Sequence, residues 1–442
     1  MFTVAAIPLG LHSSLRNSFR QPKGNCVFAC LLINDGAQNQ KGEIALSDLS
    51  AAPKESTRSF RSQIRPILLL ASIFLLNFIG RIAIAPLLPA IEADLSISHL
   101  QAGSLFLMTT AGYFATIMGS GFVSSHWSHR NIIIFSAFTT GLALIGMSLC
   151  HSLLSLQATS LLLGLTTGLY LPSGIATLTS LVPANHWGKA LAVHELAPNL
   201  GFVAAPLISE AVLHWSSWRG VLIALGVTSV LCGLAFWRFG QGGKFRGEAP
   251  NLSSYRSLFG QPSFWIMVIL FGLGIGASFG IYTMLPLYLT AERGMDRPFA
   301  NTLIGLSRIP GIFTSLMAGW ATDRFGPARI MGFVFLFAGL MTILLGSVSG
   351  AWLIFAVFVQ PMLAACFFPA GFAALSFLGS AQIRSVAISV AVPLGFLFAG
   401  GLLPMGIGVL GDAGRFALGV AGAGVLFLSG SLLSRLLKLH HE

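Results

Sequence analysis

Two arginines stand within long apolar stretches of the chain. Arg81 occurs in "LLNFIGRIAIAPLLPAI", and Arg308 occurs in "LIGLSRIPGIF", two residues before a proline. A basic side chain at the centre of a bilayer costs roughly 3 kcal/mol or more, so it must face a polar cavity or a partner. The guanidinium group is a planar fork of donors that matches a carboxylate or a phosphate. The pair therefore predicts a receptor for a small anion. The alternative is that each arginine pairs with a carbonyl or carboxylate and only holds helices together.

The stretch "KALAVHELAPNLGFVAAPLI" places His194 and Glu195 side by side among apolar residues. Glu195 shares a helical face with Asn199 one turn later, and Pro198 loosens the helix at nearly the same level. A carboxylate in low dielectric favours its neutral form, whereas a nearby cation favours its charged form. We therefore predict that Glu195 takes up and releases a proton, with His194 and Asn199 completing the site. The alternative is that Glu195 is the structural partner of an arginine.

Other polar side chains in apolar stretches are weaker candidates, because each fits an interhelical hydrogen bond as well as a ligand contact. Tyr113 is one of them, and Glu210 is expected to pair with a loop arginine such as Arg219. The predicted substrate-binding set is Asn77, Arg81, Tyr170, Tyr282, Arg308 and Gln360.

Neither a metal nor a cofactor is expected. The five cysteines have no framework spacing, and a His-Glu-x-x-His site fails because Pro198 stands at its last position. The sequence contains no Gly-x-x-x-x-Gly-Lys-Ser/Thr loop, so we expect no drive by ATP. We predict no enzyme activity.

The composition predicts that lipid is the solvent for most of the chain. Of the 442 residues, 55% are hydrophobic and 9% are charged, and the mean hydropathy is +0.81. A soluble domain is about 25% charged. The chain has too few charges to cover a surface that faces water, so it is expected to be a multi-pass protein of the lipid bilayer.

The apolar runs predict an all-α membrane protein with twelve transmembrane helices in two pseudo-symmetric six-helix bundles. We divide the chain into a disordered cytoplasmic tail at 1–62, bundles at 63–239 and 262–437, a cytoplasmic linker at 240–261, and a tail at 438–442. The predicted spans are 66–91, 99–123, 131–150, 155–182, 189–214, 218–239, 262–290, 298–321, 329–348, 351–378, 385–410 and 414–437.

The net charge of +11 does not indicate nucleic acid, because the basic residues lie in short loops between the apolar runs. Fourteen Lys and Arg residues fall on the side of the N-terminus and four on the other side. Basic loops stay in the cytoplasm. Both termini are therefore expected in the cytoplasm, with the protein in the cell (inner) membrane as a monomer.

Two loops repeat at corresponding places in the halves. "GFVSSHWSHR" begins at Gly121 after the second run, and "GWATDRFGPAR" begins at Gly319 after the eighth, 198 positions later. The second loop resembles the signature Gly-x-x-x-Asp-Arg-x-Gly-x-x-Arg of the major facilitator superfamily, and the resemblance covers residues 66–437. The matching positions are Gly319, Asp323, Arg324, Gly326 and Arg329, and the first-half copy supplies Gly121, Ser125 and Arg130.

The resemblance implies a secondary transporter whose bundles rock around a site near the midplane. In the family the signature loop is a cytoplasmic gate, and spans one, four, seven and ten line the cavity; Tyr170, Tyr282 and Gln360 fall on three of these. Ser125 stands where the family has Asp and His126 where it has Arg, so we expect any salt-bridge gate in the first half to be weakened or pH-dependent.

The function predicted from these residues is transport of a small organic anion by alternating access, coupled to protons. One alternative is proton-driven efflux of amphipathic compounds, because "APNLGF" keeps Pro198 and Gly201 of a signature that exporters carry in the fifth span. The other is a transporter-like sensor that moves nothing. The sequence names neither the substrate nor the direction.

Overall fold

The computed structural model describes residues 60–183, 186–247, 258–377 and 381–437. These residues form helices, and the one β-bridge among them joins Ser128 to Arg246. The predicted tails at 1–62 and 438–442 lie outside the described residues, apart from a helix that begins at Phe60. So do positions 248–257 of the predicted linker.

The first six spans form one bundle. Span one is broken near Ala83 and span four near Leu169. In order, the helices are Phe60–Ile82 with Ile84–Leu95, His99–His126, His129–Ser148, Leu153–Gly168 with Tyr170–Leu181, Trp187–Leu213, and Trp218–Phe239.

The last six spans form the second bundle, in which π-helical turns interrupt spans seven and eleven. The helices are Pro262–Ile275 and Ile281–Leu287 with π-turns Gly276–Gly280 and Tyr288–Glu292; Arg297–Ser307 with Ile309–Phe325; Pro327–Ser347; Ala351–Ala365 with Phe367–Ser376; Ala381–Leu397 and Leu403–Asp412 with π-turn Phe398–Leu402; and Phe416–Leu436.

Eleven helical segments in the described part of the chain are long and apolar enough to cross a membrane. The one predicted span not among these eleven is the eighth, 298–321, which is made of two helices that meet at Arg308. Its pieces have 11 and 17 residues, each shorter than the roughly 20 residues that a bilayer needs. Together they complete the twelve.

The two bundles repeat each other down to single close contacts. Spans three and six pack along their lengths, as do spans nine and twelve. A Cβ on Gly141 would lie 2.6 Å from the carbonyl oxygen of Gly226, and one on Gly339 would lie 2.9 Å from that of Gly424. Both members of the second pair lie 198 positions after their counterparts, the interval of the signature loops. The pseudo-symmetry predicted from the loops therefore extends into the helix packing.

The bundles meet at one end, which we call the closed end; it carries the loops between spans one and two and between spans seven and eight. There the halves of spans one and seven, two and eleven, and five and eight that lie nearest these loops are in contact. The described hydrogen bonds and ring contacts between bundles stop at the level of Tyr113 and Phe396. The site lies at this level.

Candidate functional site

Arg81 lies in the last turn of the first helix of span one, next to the break at Ala83. Only 5% of its surface is exposed. The guanidinium carbon lies 4.1 Å from the ring centre of Tyr113 and 5.2 Å from that of Phe78. Its Nε has no hydrogen-bond partner, and none of the ion pairs of the described residues includes it. The rings of Tyr113 and Phe78 therefore contact the guanidinium group.

Arg308 comes from the other bundle and stands where the two helices of span eight meet. It is 9% exposed. Its Nη2 donates to the carbonyl oxygen of Ser278 over 2.8 Å, and its Nη1 lies 3.3 Å from the Ser278 hydroxyl. Ser278 belongs to the π-turn of span seven, a type of turn frequent at functional sites. Arg308 shares no ion pair among the described residues.

Aromatic rings connect the two arginines across the bundle boundary. The guanidinium carbon of Arg308 lies 4.5 Å from the ring centre of Phe202 and 5.0 Å from that of Tyr282. The ring centre of Phe202 in turn lies 5.0 Å from that of Phe78, which Arg81 covers. The structure thus brings Arg81, Arg308 and Tyr282 of the predicted set to one aromatic cluster.

The other side chains predicted to bind the substrate point into the interior of their own bundles. Asn77 donates to the carbonyl oxygen of Thr167 over 3.0 Å, and Tyr170 donates to that of Leu70 over 2.7 Å. Gln360 donates to the carbonyl oxygen of Ala277 over 2.8 Å. In these contacts the three side chains join helices within a bundle. Gln360 also fixes the backbone next to Ser278, which binds Arg308.

The His194 ring is fully buried and stacks on Phe74 with 4.4 Å between ring centres. Its Nε2 lies 3.1 Å from the Tyr170 hydroxyl, and its Nδ1 lies 3.3 Å from Oε1 of Glu195. The sequence predicts apolar surroundings for Glu195, but the structure leaves 40% of that side chain exposed. The histidine, not the carboxylate, is the buried member of the pair.

Glu195 is exposed because it lies on the face of span five that turns toward the other bundle. Residues four and seven positions apart on a helix share a face. Asn199 and Phe202 therefore lie in line with Glu195, and Phe202 contacts Arg308. Glu195 stands about 10 Å from Phe202 along the helix axis, beyond the level at which the bundles touch.

The sequence also expects Glu210 to pair with a loop arginine such as Arg219, and the structure pairs it with a different arginine, Arg297. Glu210 accepts from Arg297 over 3.1 Å and from Asn301 over 3.0 Å, both in span eight. Arg219 pairs with Asp94 at the end of span one. Span five packs against span eight at the closed end, which gives Glu210 a partner from the other half of the chain.

Comparison with known proteins now identifies the fold. The family model described as "Major Facilitator Superfamily" matches residues 70–312, more than half of the chain. The chain belongs to the major facilitator superfamily. It is an integral, multi-pass membrane protein of this transporter family.

Individual relatives of this superfamily are distant. "Membrane sensor protein UhpC" of Salmonella typhimurium is 26% identical over 314 residues, which are 64% of this chain and 69% of that protein. The "4-hydroxybenzoate transporter PcaK" of Pseudomonas putida is 23% identical over 364 residues, 70% of this chain and 80% of that one. A crystal structure of a bacterial homologue of the human lysosomal transporter Spinster superposes with a TM-score of 0.75 at 16% identity, covering 86% of this chain and 97% of that one. At this identity the superposition shows the fold alone.

The first-half copy of the superfamily loop clamps a helix end. Arg130 donates to the carbonyl oxygen of Trp237 over 2.8 Å and also binds that of Gly240, at the end of span six. A cation at a helix C-terminus is stabilised by the helix dipole. Ser125, which replaces the family's Asp, donates to the carbonyl oxygen of Phe122 in its own helix. Gly121 lies within that helix.

The second-half loop keeps the full motif, and its Arg324 lies over the rings of Trp320 and Phe325, at 5.8 Å from each ring centre. Asp323 and Arg324 are exposed, and neither takes part in an ion pair of the described residues. Arg329 is exposed as well, and Gly319 lies within the helix. Gly326 has φ of +88°, a conformation in which other residues are strained. The turn is therefore built as the motif predicts, at the end where the bundles do not touch.

The sequence did not single out Phe78, Phe202, Ser278, Phe279 or Phe396, all of which lie at the site. Phenylalanine is common in membrane helices, so its presence alone carries no signal. One signal was available: Phe202 follows Glu195 by seven residues and Asn199 by three, which places it on the same face of a helix.

Proposed function

We propose that this protein is a secondary transporter for a small organic anion. The observation that carries the proposal is the pair of Arg81 and Arg308, from opposite bundles and facing one aromatic cluster. Both side chains are at least nine-tenths buried, and no described carboxylate neutralises either one. Two uncompensated positive charges in an apolar interior favour an anion between them. A ligand held by both bundles would be carried as they rock.

The superfamily relatives agree with an organic anion, because one of them is named for 4-hydroxybenzoate. We extend the proposal to the unit of movement: residues 63–239 and 262–437 rock as two bodies joined by the linker at 240–261. Within the cell (inner) membrane, the basic loops favour a cytoplasmic location for both termini.

Proton coupling through Glu195 is the second part of the proposal, and hydrogen-bond geometry supports it. The Tyr170 hydroxyl gives its proton to the carbonyl oxygen of Leu70. His194 Nε2 must then donate to the Tyr170 oxygen, so a neutral His194 has no proton on Nδ1. The contact of Nδ1 with Glu195 is a hydrogen bond only when the pair holds one further proton, on either residue. The partly exposed carboxylate, with Asn199 on the same face, would give and receive that proton.

A sensor that binds its ligand without moving it is the second candidate, because the relative UhpC is named a membrane sensor protein. Both candidates require binding, and only a transporter requires flux. Measurement of binding in detergent and of uptake in proteoliposomes on the same preparation separates them. Binding without any uptake or exchange would favour the sensor. The efflux alternative requires amphipathic compounds to bind in place of anions.

Replacement of each arginine by lysine tests the receptor. Lysine keeps the charge but loses the planar fork, so Arg81→Lys and Arg308→Lys should each weaken anion binding at least about tenfold. Arg415→Lys, at an exposed position of the closed end, is the matched control. The measurement is the thermal stabilisation of purified protein by a panel of carboxylates and cations. If both lysine variants bind like the wild type, the arginines are scaffold residues.

A further inference from the structure

Five aromatic side chains at the bundle boundary form a closed ring with Arg81. We call them the aromatic collar: Phe78, Tyr113, Phe202, Phe279 and Phe396. Three come from the N-terminal bundle and two from the C-terminal bundle. All five are side chains of membrane spans, at the level where contact between the bundles ends.

The contacts can be followed once around the collar. Arg81 lies over Phe78, and the ring centre of Phe78 lies 5.0 Å from that of Phe202. Phe202 lies 6.4 Å from Phe279, across the bundle boundary. Phe279 lies 5.5 Å from Phe396, which crosses back to Tyr113 at 5.9 Å. Tyr113 lies under Arg81 at 4.1 Å and closes the ring.

Rings of the collar lie against both guanidinium groups, and the Nε of Arg81 has no hydrogen-bond partner that would compete with an anion. The rings of the collar meet edge to face with 5.0 to 6.4 Å between their centres, which is within the range in which aromatic pairs attract each other. An aromatic ligand that enters the collar can form edge-to-face ring contacts of the same type, whereas an aliphatic ligand cannot. We propose that the site selects aromatic carboxylates, an inference that rests on the proposed transport of organic anions.

Phe202 and Phe396 are the members of the collar that an entering ligand meets first. Both are partly exposed, while Phe78, Tyr113 and Phe279 are each at most 5% exposed. They belong to opposite bundles, so a ligand ring between them contacts both. We assign these two residues the selection of the ring, and the arginines the binding of the carboxylate.

The Tyr282 hydroxyl restricts the chemical class of the ligand further. Tyr282 is fully buried beside Arg308, its ring centre lies 5.0 Å from that of Phe202, and its hydroxyl has no hydrogen-bond partner. A buried hydroxyl without a partner is unfavourable, and a polar ligand group at that place would remove the cost. A hydroxyl group on the ligand ring can supply this partner. The ligand class is therefore a hydroxylated aromatic carboxylate.

Benzoate and cyclohexanecarboxylate make a matched pair, since they have the same charge and nearly the same size. We expect the wild-type protein to bind benzoate roughly tenfold more tightly, the scale of an aromatic contact. Phe202→Leu and Phe396→Leu should each reduce that ratio to below about threefold, because they should weaken benzoate binding more than cyclohexanecarboxylate binding. Phe313→Leu is the control, because Phe313 is 65% exposed on the outside of span eight. Tyr282→Phe should abolish any preference for 4-hydroxybenzoate over benzoate.

The outcomes separate this inference from the proposed function. Equal binding of the two anions by the wild type overturns the inference, and this comparison needs no variant. The receptor proposal survives that result if Arg308→Lys weakens both anions. If both leucine variants still prefer benzoate, the aromatic collar is not the cause of the preference. If neither anion stabilises the protein at any concentration while cations do, both proposals fail.

Discussion

The carboxylate of Asp412 in the C-terminal bundle accepts a hydrogen bond of 2.7 Å from the backbone N–H of His99 in the N-terminal bundle. It also accepts from the Leu100 N–H over 3.1 Å and from the Ser98 hydroxyl over 2.7 Å. The first N–H groups of a helix lack partners within the helix and carry partial positive charge. Asp412 therefore caps span two from across the bundle boundary, and this cap fastens the closed end.

Asp412→Asn should loosen the closed end. The amide keeps one acceptor oxygen but loses the charge, at an expected cost of about 1 kcal/mol or roughly fivefold in population. Spin labels at Trp215 and Trp352, both exposed at this end, would report the change as a larger population of long distances. Asp296→Asn is the control, because Asp296 caps no helix with its side chain. An unchanged distance distribution would show that the cap does not hold this end.

Spans five and eight meet in an antiparallel register that can be extended to the opposite end. Glu210 of span five contacts Asn301 of span eight, and Phe202 contacts Arg308. Phe202 lies eight residues before Glu210, and Arg308 lies seven residues after Asn301. Continued along both helices, this register places Lys189 and Asp323 at about the same level along the helix axes. Both are exposed and without an ion pair among the described residues. They are the expected partners when that end closes.

Charge reversal tests the Lys189–Asp323 pair. Asp323→Lys should reduce transport several-fold, because two cations would then oppose closure. Lys189→Asp in the same chain restores attraction and should recover a large part of the rate. Lys244→Asp, an exposed lysine on the same side, should give no recovery. Recovery by both second substitutions would indicate a general effect of surface charge instead of a specific pair.

The repeated glycine contacts make a sharp stability prediction. A Cβ on Gly424 would lie 2.7 Å from the carbonyl oxygen of Gly339, whereas one on Gly422 meets nothing within 4 Å. Gly424→Ala should therefore destabilise the protein by about 1–3 kcal/mol through forced separation of spans nine and twelve. Gly422→Ala, in the same helix, should be neutral or slightly stabilising because alanine favours helix. Thermal unfolding in detergent compares them, and equal melting temperatures would contradict the packing.

The helices were predictable because lipid demands long apolar runs, but the breaks within them were not predicted. Span eight carried a signal for its interruption, since Pro310 lacks the N–H that would bond to the carbonyl oxygen of Leu306 and the charge of Arg308 resists burial. The breaks at Ala83 and Leu169 carry the same kind of signal, because Pro86 and Pro172 lack the N–H groups that would bond to the carbonyl oxygens of Ile82 and Gly168, where the first helices end.

The site was predictable only where a charge required it. Arg81 and Arg308 stood out because an ionised side chain in lipid is costly unless it faces a polar cavity or a partner. Tyr170 and Gln360 fell on helices that line the cavity, but helical periodicity does not say which neighbour a face meets. Both turned inward to carbonyl groups. The Glu210 partner was missed for the same reason, because distance along the chain does not predict distance in space.

In the coupling that we propose, the His194–Glu195 pair holds one proton at the boundary between a buried and an exposed side chain. His194 is locked between Phe74 and Tyr170, and the hydroxyl beyond it is already committed to the Leu70 carbonyl. A proton therefore has no described route past His194 into the bundle. In the proposed coupling the proton enters and leaves through Glu195, and His194 positions the carboxylate.

Glu195→Gln should separate coupling from substrate movement. The glutamine amide donates to Nδ1 of His194 as a protonated carboxyl would, so the fold and the hydrogen bond are kept. Accumulation of an aromatic carboxylate in proteoliposomes, driven by an imposed pH gradient, should be lost. Exchange of internal for external substrate, which needs no net proton movement, should continue at near the wild-type rate. His194→Ala should change the pH at which accumulation is fastest more than it slows exchange. If Glu195→Gln still concentrates substrate in response to the gradient, the proton is carried elsewhere and the pair is structural.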